Sequence, residues 1–203
     1  SYGTWLPQIL YYEILYLLKG YKRNSFNILN NERFTDNIPC PYFFLHKLKT
    51  FFLNTNITSF VDLGCGDGRS IFFFNKHLKI KFYGIEYNSL IYSSCQKSFK
   101  DYNNVQIVND DIMSFKFLEF NSDCFFIGDP LKKKNDFDNL VKKILQKNKE
   151  NKKKIYFIIV NVEKNKREAF LNYKLIDSFQ KNNRGYFIYS NEKINENPTN
   201  KKS

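Results

Sequence analysis

Between residues 59 and 190 the chain alternates short, nearly continuous apolar runs with stretches of helix length. The runs fall at 59–63, 81–87, 105–110, 124–130, 155–162, 173–179 and 185–190. Segments this uniformly apolar suit strands buried on both faces of a parallel sheet. Helices are expected between them at 69–77, 89–102, 137–147 and 163–171, with Asn88 and Asp136 as N-caps. The alternation predicts an α/β domain with a doubly wound, mostly parallel seven-stranded sheet. Only residues 180–184 separate the last two runs, which suits a hairpin and one antiparallel strand near the edge.

Residues 1–58 read differently, as an N-terminal helical extension. Residues 5–19 form an aromatic, apolar helical stretch ended by Gly20, a good residue just past a helix. A polar connector over 33–42 carries Pro39 and Pro41, and 43–52 reads as a second helix. The core is then expected at 59–191, with 192–203 as a frayed tail. No apolar run approaches the eighteen or so residues of a membrane span, and the best candidate, 9–18, contains Glu13.

The segment from Phe60 to Ser70 concentrates the chemistry. A strand runs into a turn with glycines at 64, 66 and 68, and a helix follows. A dinucleotide fingerprint would need its third glycine at position 69, which is Arg. The one-residue difference disfavours a nicotinamide oxidoreductase, whose loop must admit a pyrophosphate. A ligand without phosphates can be held by such a loop through backbone alone, leaving Asp62 free to face a cation.

The stretch from Asp62 to Gly68, Asp-Leu-Gly-Cys-Gly-Asp-Gly, resembles motif I of class I S-adenosylmethionine-dependent methyltransferases. The resemblance implies a Rossmann-like fold that takes S-adenosylmethionine through Asp62, Gly64, Cys65, Gly66, Asp67 and Gly68. It also implies an acid at the end of the second strand, supplied by Glu86 with Tyr87 beside it. A carboxylate there accepts hydrogen bonds from both ribose hydroxyls. After the third strand the resemblance puts Asp111 near the adenine amino group and Ile112 against the ring. Upstream, Pro39-Cys-Pro-Tyr42 is similar to a segment of small stand-alone bacterial methyltransferases. The layout is also shared with mitochondrial and bacterial protein-lysine methyltransferases. That likeness implies that Tyr42 closes over the cofactor and makes residues 1–58 a lid; the alternative is a shaped connector with Tyr42 in the core.

The fourth run ends in Gly128-Asp129-Pro130-Leu131. Amino-group methyltransferases often carry Asp/Asn-Pro-Pro-aromatic here, and Leu131 and Lys132 replace the second proline and the ring. The ring that would stack on a flipped base is missing. Asp129 is the candidate catalytic residue, for orienting the acceptor or removing its proton. Its alternative role is a strand-end hydrogen bond to local backbone. No metal-ligand spacing is seen. The expected function is methyl transfer to an unidentified acceptor: a protein, a small molecule or glycan precursor, or RNA. The rival reading is a catalytically silent, basic scaffold in a ribonucleoprotein or other assembly.

Charge bears on the acceptor. The net charge is +12, and only five of the 32 basic residues are Arg. Lys, Asn, Phe, Tyr and Ile have AT-rich codons, so the excess fits coding bias as well as a polyanionic partner. The run from Lys132 to Lys154 holds ten lysines against three carboxylates and starts directly after Pro130, near the acceptor mouth. It reads either as a polyanion contact or as a solvated helix face. The cysteines Cys40, Cys65, Cys95 and Cys124 form no CxxC pair, and neither a signal-peptide n-region nor a transit-peptide composition is seen. Free thiols in a reducing compartment are expected, which points to the cytoplasm or a mitochondrion.

Overall fold

The computed structural model describes residues 6–21, 32–36, 38–181 and 184–194. Helices α1 (Leu6–Leu18) and α2 (Tyr42–Leu53) precede strand β1 (Ser59–Leu63). Then come α3 (Arg69–Asn75), β2 (Lys81–Glu86), α4 (Ser89–Ser98) and β3 (Val105–Asn109). The chain continues through β4 (Cys124–Ile127), α5 (Lys134–Glu150), β5 (Tyr156–Val160) and the short α6 (Lys164–Arg167). It closes with β6 (Tyr173–Lys181) and β7 (Arg184–Lys193).

The strands form one sheet in the order β3-β2-β1-β4-β5-β7-β6. Strand β1 pairs in parallel with β2 on one side and β4 on the other. Strand β7 runs antiparallel between β5 and β6, one place in from the edge. This is the doubly wound sheet that the alternation predicts. The chain winds outward from β1 through β2 to β3, then returns to lay β4 on the far side of β1. That reversal opens a crevice at the carboxyl ends of β1 and β4, where open α/β sheets take ligands.

Aromatic side chains fill both faces of the sheet. On one face Phe60, Phe82 and Phe126 pack with Phe74 of α3 and Phe52 of α2. On the other, Phe125 and Phe157 meet Phe137 of α5 and Phe170. Each fully buried Phe contributes about 1.5–3 kcal/mol. Residues of α1 and α2 sit in the first cluster, so the N-terminal helices share the core of the sheet.

Several boundaries differ from expectation for local reasons. Strand β4 stops at Ile127 because Gly128 and Asp129, the latter with φ 56°, turn the chain out of the pleat. Asn88 caps α4 as expected, accepting from Leu90 N at 3.0 Å and Ile91 N at 3.1 Å. Helix α5, however, begins at Lys134 with Lys133 at the cap position, so Asp136 lies in its first turn instead. Residues 163–171 divide into α6 and a 3-10 turn at Glu168–Phe170. Strand β7 takes in Glu192 and Lys193, and Ile194 N donates to Asn172 O at 3.2 Å. The rest of the expected tail, 195–203, and Trp5 lie outside the described residues. No described helix is long and apolar enough to cross a membrane.

Candidate functional site

The loop after β1 takes three left-handed turns, at Gly64 (φ 84°), Gly66 (φ 54°) and Gly68 (φ 78°). Side-chain-bearing residues resist this conformation, and close packing adds a second demand. A Cβ on Gly64 would sit 2.9 Å from the Pro130 ring, and one on Gly68 2.5 Å from the Phe99 ring. The loop is thus wedged between the segment after β4 and the end of α4. Gly66 N donates to Glu86 Oε2 at 2.9 Å, and Asn88 N donates to Glu86 Oε1 at 2.8 Å. Glu86 therefore joins the loop after β1 to the end of β2. Each of its oxygens keeps a lone pair for a further donor.

These elements wall a cavity of about 220 Å³ at the reversal between β1 and β4. That is several times the space one water needs. Asp62 and Glu86 are buried in its wall. The Ser70 hydroxyl donates to Asp62 Oδ2. Burial outweighs that bond, the Glu86 charge adds to it, and the Asp62 carboxyl is pushed up to about 7. Burial also raises Glu86, against the hydrogen bonds from Asn88 and Gly66. Two buried carboxylates facing one space favour an incoming cation.

A cation already stands in the wall. Arg69, the first residue of α3, donates through Nη1 to Glu13 Oε1 at 2.8 Å and Oε2 at 2.9 Å. Its guanidinium lies 4.5 Å from the centre of the Tyr42 ring. Its Nε is buried without a hydrogen-bond partner. The sequence offered Arg69 only as the residue that breaks a dinucleotide fingerprint; its place at the helix start after the loop was the available signal.

Of the residues expected at the site, Asp62, Gly64, Cys65, Glu86, Tyr87 and Ile112 line the cavity. Gly66 and Gly68 shape the loop, and Asp67, half-buried, stands outside the lining. Asp111 also stands outside it. Its carboxylate accepts from Met113 N at 2.7 Å, capping a 3-10 turn, and from Arg33 Nη1 at 3.0 Å.

Tyr42 departs from the expectation that it closes over a cofactor. Pro41 occupies the cap position of α2, and Tyr42 opens the helix with its ring fully buried beside Tyr16 and Phe73. The connector just before it lines the cavity instead, through Thr35, Asp36, Ile38, Pro39 and Cys40. Residues 34–36 and 38–40 thus line the cavity, while residues of α1 and α2 belong to the core.

Asp129 turns its carboxylate to Lys166 rather than to the cavity. Its left-handed turn sends the carboxylate to Lys166 Nζ, at 2.7 Å, and Lys166 is itself buried. Lys166 also donates to Leu131 O at 2.6 Å. Burial raises the Asp129 carboxyl and Lys166 opposes that shift. Gly128 and Pro130 line the cavity and Asp129 does not. What Asp129 offers on this side is its carbonyl, which accepts from Thr35 Oγ1 at 2.8 Å. The connector is sewn to this segment by two further bonds, Thr35 N to Pro130 O at 3.1 Å and Lys132 N to Arg33 O at 2.9 Å. Among the described residues no group of three or more His, Cys, Asp or Glu could hold a metal ion.

Residues 60–151 match a family model described as a methyltransferase domain. No curated protein matches the chain. Among solved structures, the fold is similar to an RNA methyltransferase from Salinibacter ruber in complex with S-adenosyl-L-homocysteine. That match has a TM-score of 0.59 at 12% identity, covering 79% of this chain and 98% of the other. A human methyltransferase 10 domain containing protein gives 0.58 at 13% identity, covering 89% and 93%. Precorrin-6y C5,15-methyltransferase from Geobacter metallireducens gives 0.56 at 12% identity, covering 81% and 92%. A methyltransferase domain is thus matched across the strands that build the crevice, on the fold these solved proteins share.

Proposed function

We propose that the cavity between the ends of β1, β2 and β4 binds S-adenosylmethionine, and that the acceptor enters beside residues 128–130. The observation that carries this reading is the pair of buried carboxylates, Asp62 and Glu86, at successive strand ends in one cavity wall. When bound, S-adenosylmethionine supplies an electrophilic methyl carbon on a positively charged sulfur. Asp62 would face positive charge, which supports its ionised form against burial. Glu86 would accept hydroxyl donors through the lone pairs that Gly66 N and Asn88 N leave open. The unpartnered Arg69 Nε offers a donor to a carboxylate, and Tyr87 and Ile112 offer apolar surface to a flat ring. Asp67 and Asp111, outside the lining, would act by holding the loop and the rim.

On the acceptor side, Asp129 works through its backbone carbonyl, since Lys166 occupies the carboxylate. That carbonyl and the Thr35 hydroxyl are the polar groups available to orient a nucleophile beside residues 128–130. Positioning supplies most of the rate advantage where the leaving group is already good. Of the ten lysines from Lys132 to Lys154, at least four have carboxylate partners within the fold: Lys134, Lys147, Lys153 and Lys154. We assign the run to the fold and its solvation rather than to a polyanion.

Titration calorimetry tests the cofactor assignment. S-adenosylmethionine and S-adenosylhomocysteine should bind and NAD should not. Glu86→Ala should weaken binding by about 1.5–3 kcal/mol, the cost of losing hydrogen bonds to a charged acceptor. Unchanged affinity in that variant would remove Glu86 from the binding site.

A further inference from the structure

Residues 33–35 form a strap from one side of the crevice to the other, and its two attachments differ in kind. On the side of β4 the attachment is main chain. Phe34 pairs with Leu131 in an antiparallel bridge, Lys132 N donates to Arg33 O at 2.9 Å, and Thr35 N donates to Pro130 O at 3.1 Å. The Thr35 hydroxyl adds its bond to Asp129 O at 2.8 Å. Buried Lys166 holds the receiving segment from behind, through Asp129 Oδ1 and Leu131 O. On the side of β2 and β3 the contacts are between side chains. Arg33 Nη1 lies 3.0 Å from Asp111 Oδ2, and the Phe34 ring lies 4.8 Å from that of Tyr87.

This second seam stands between the cavity and the solvent. Phe34 and Tyr87 both line the cavity, while Arg33 and Asp111 stand outside the lining. Phe34 is buried, but Tyr87 is 52% exposed. The Arg33 side chain is 52% exposed and that of Asp111 27%. An ion pair that water reaches is weak, because water solvates the separated charges nearly as well. Tyr87 already keeps half of its surface in water, so leaving Phe34 costs it little further burial. The neighbouring walls are firmer. The glycine loop is wedged against Pro130 and Phe99, and parting the β4 side would break several main-chain hydrogen bonds at once.

We propose that the seam between residues 33–34 and Tyr87 and Asp111 is the gate through which S-adenosylmethionine enters and S-adenosylhomocysteine leaves, with Arg33 and Asp111 as its latch. The inference rests on the cofactor assignment made above. The gate opens with the strap still stitched to residues 130–132. Thr35 and the Asp129 carbonyl therefore keep their places while the cofactor is exchanged. Neither latch residue lines the cavity, and this gives the gate a kinetic signature. The latch is closed in the free and the liganded chain alike, so weakening it speeds entry and exit by the same factor and leaves the equilibrium unchanged. Loss of a ligand contact would speed exit and weaken affinity with it.

Surface plasmon resonance of S-adenosylhomocysteine on the full chain reads both rates. Arg33→Gln should raise each roughly two- to fivefold, the worth of an exposed ion pair, with the dissociation constant unchanged. Asp111→Asn, which keeps an oxygen for the Met113 N–H, should do the same. The double variant should be no faster than either single one, because one contact is removed in all three. A measurement on the wild type needs no substitution: about 1 M NaCl screens exposed charges and should raise both rates, and Arg33→Gln should lose that response. Rates indifferent to the substitutions and to salt would overturn the gate. So would a rise in the exit rate alone, which would make the latch residues ligand contacts. Either result leaves the cofactor assignment standing, whereas a wild type that fails to bind S-adenosylhomocysteine would overturn that assignment and the gate together.

Discussion

Asp62 and Asp123 stand at opposite ends of the paired strands β1 and β4, and their carboxylates meet opposite environments. Asp123, just before β4, accepts from Thr58 N at 2.6 Å, Thr58 Oγ1 at 2.5 Å and Ser59 N at 3.2 Å. Lys153 Nζ lies 2.5 Å from its other oxygen. Burial would raise this group, yet Lys153 and Thr58 outweigh it and hold the carboxyl below its usual range. Asp62 sits in the last turn of β1 with one hydroxyl and the nearby Glu86 charge, and is pushed up to about 7. One end of the sheet is closed by groups that satisfy one another. The other keeps buried charge that its own chain does not neutralise. The contrast separates a carboxylate that holds the fold from one that, in the function proposed above, meets the ligand.

The largest effect that could break this contrast concerns stability. Asp123→Ala strands Lys153 and three donors, so denaturant unfolding should lose about 3–5 kcal/mol. Its affinity for S-adenosylhomocysteine should remain that of the wild type. Asp62→Asn should do the reverse, keeping or raising stability near pH 8 and losing ligand. Equal destabilisation by both substitutions would abolish the distinction.

A smaller effect sharpens it through pH. Asp62 titrates near 7 when folded and near 3.8 when unfolded, so between those values the folded chain holds the extra proton. Stability of the unliganded protein should therefore fall as pH rises from about 4 to about 7, and the raised Glu86 acts in the same direction. Asp123 contributes oppositely, with stability present above its unfolded value and lost as pH falls through its lowered one. Binding of a cationic ligand should expel the Asp62 proton. Affinity should then rise about tenfold per pH unit below 7 and level off above it. Calorimetry across pH reads this slope, and Asp62→Asn should flatten it; a slope that survives in the variant would assign it to another group.

The smallest effect is expected where charge is greatest. Changing Lys132, Lys133 and Lys134 to Gln should leave ligand affinity unchanged and the salt dependence of RNA binding as it was. A contacted phosphate would alter the slope of log K against log salt by about 0.7–0.9 for each lysine lost. A change of that size would move RNA ahead of other acceptors.

Much of this was legible in the chain, for local reasons. Apolar runs of strand length placed all seven strands, because burial on both faces demands uninterrupted side chains of one kind. Glycines at 64, 66 and 68 and acids at Glu86 and Asp111 fell at strand ends, where the reversal of strand order opens a crevice. Boundaries drifted where a single turn decided them, as at Asp136 and at the start of the tail.

What the chain by itself determined is the order of elements, the handed βα winding and the residues brought to the carboxyl ends of the central strands. Those follow from periodicity and turn chemistry, which act over a few neighbours. Only the tertiary structure decided where individual side chains point. Lys166 reaches Asp129 across 37 positions, Arg69 reaches Glu13 across 56, and the Thr35 hydroxyl reaches the Asp129 carbonyl across 94. Each pairing is chosen because a buried polar group must find a partner from whatever the packed fold places within about 3 Å. No pattern local to Asp129 distinguishes a carboxylate free for chemistry from one held by a lysine of a distant helix.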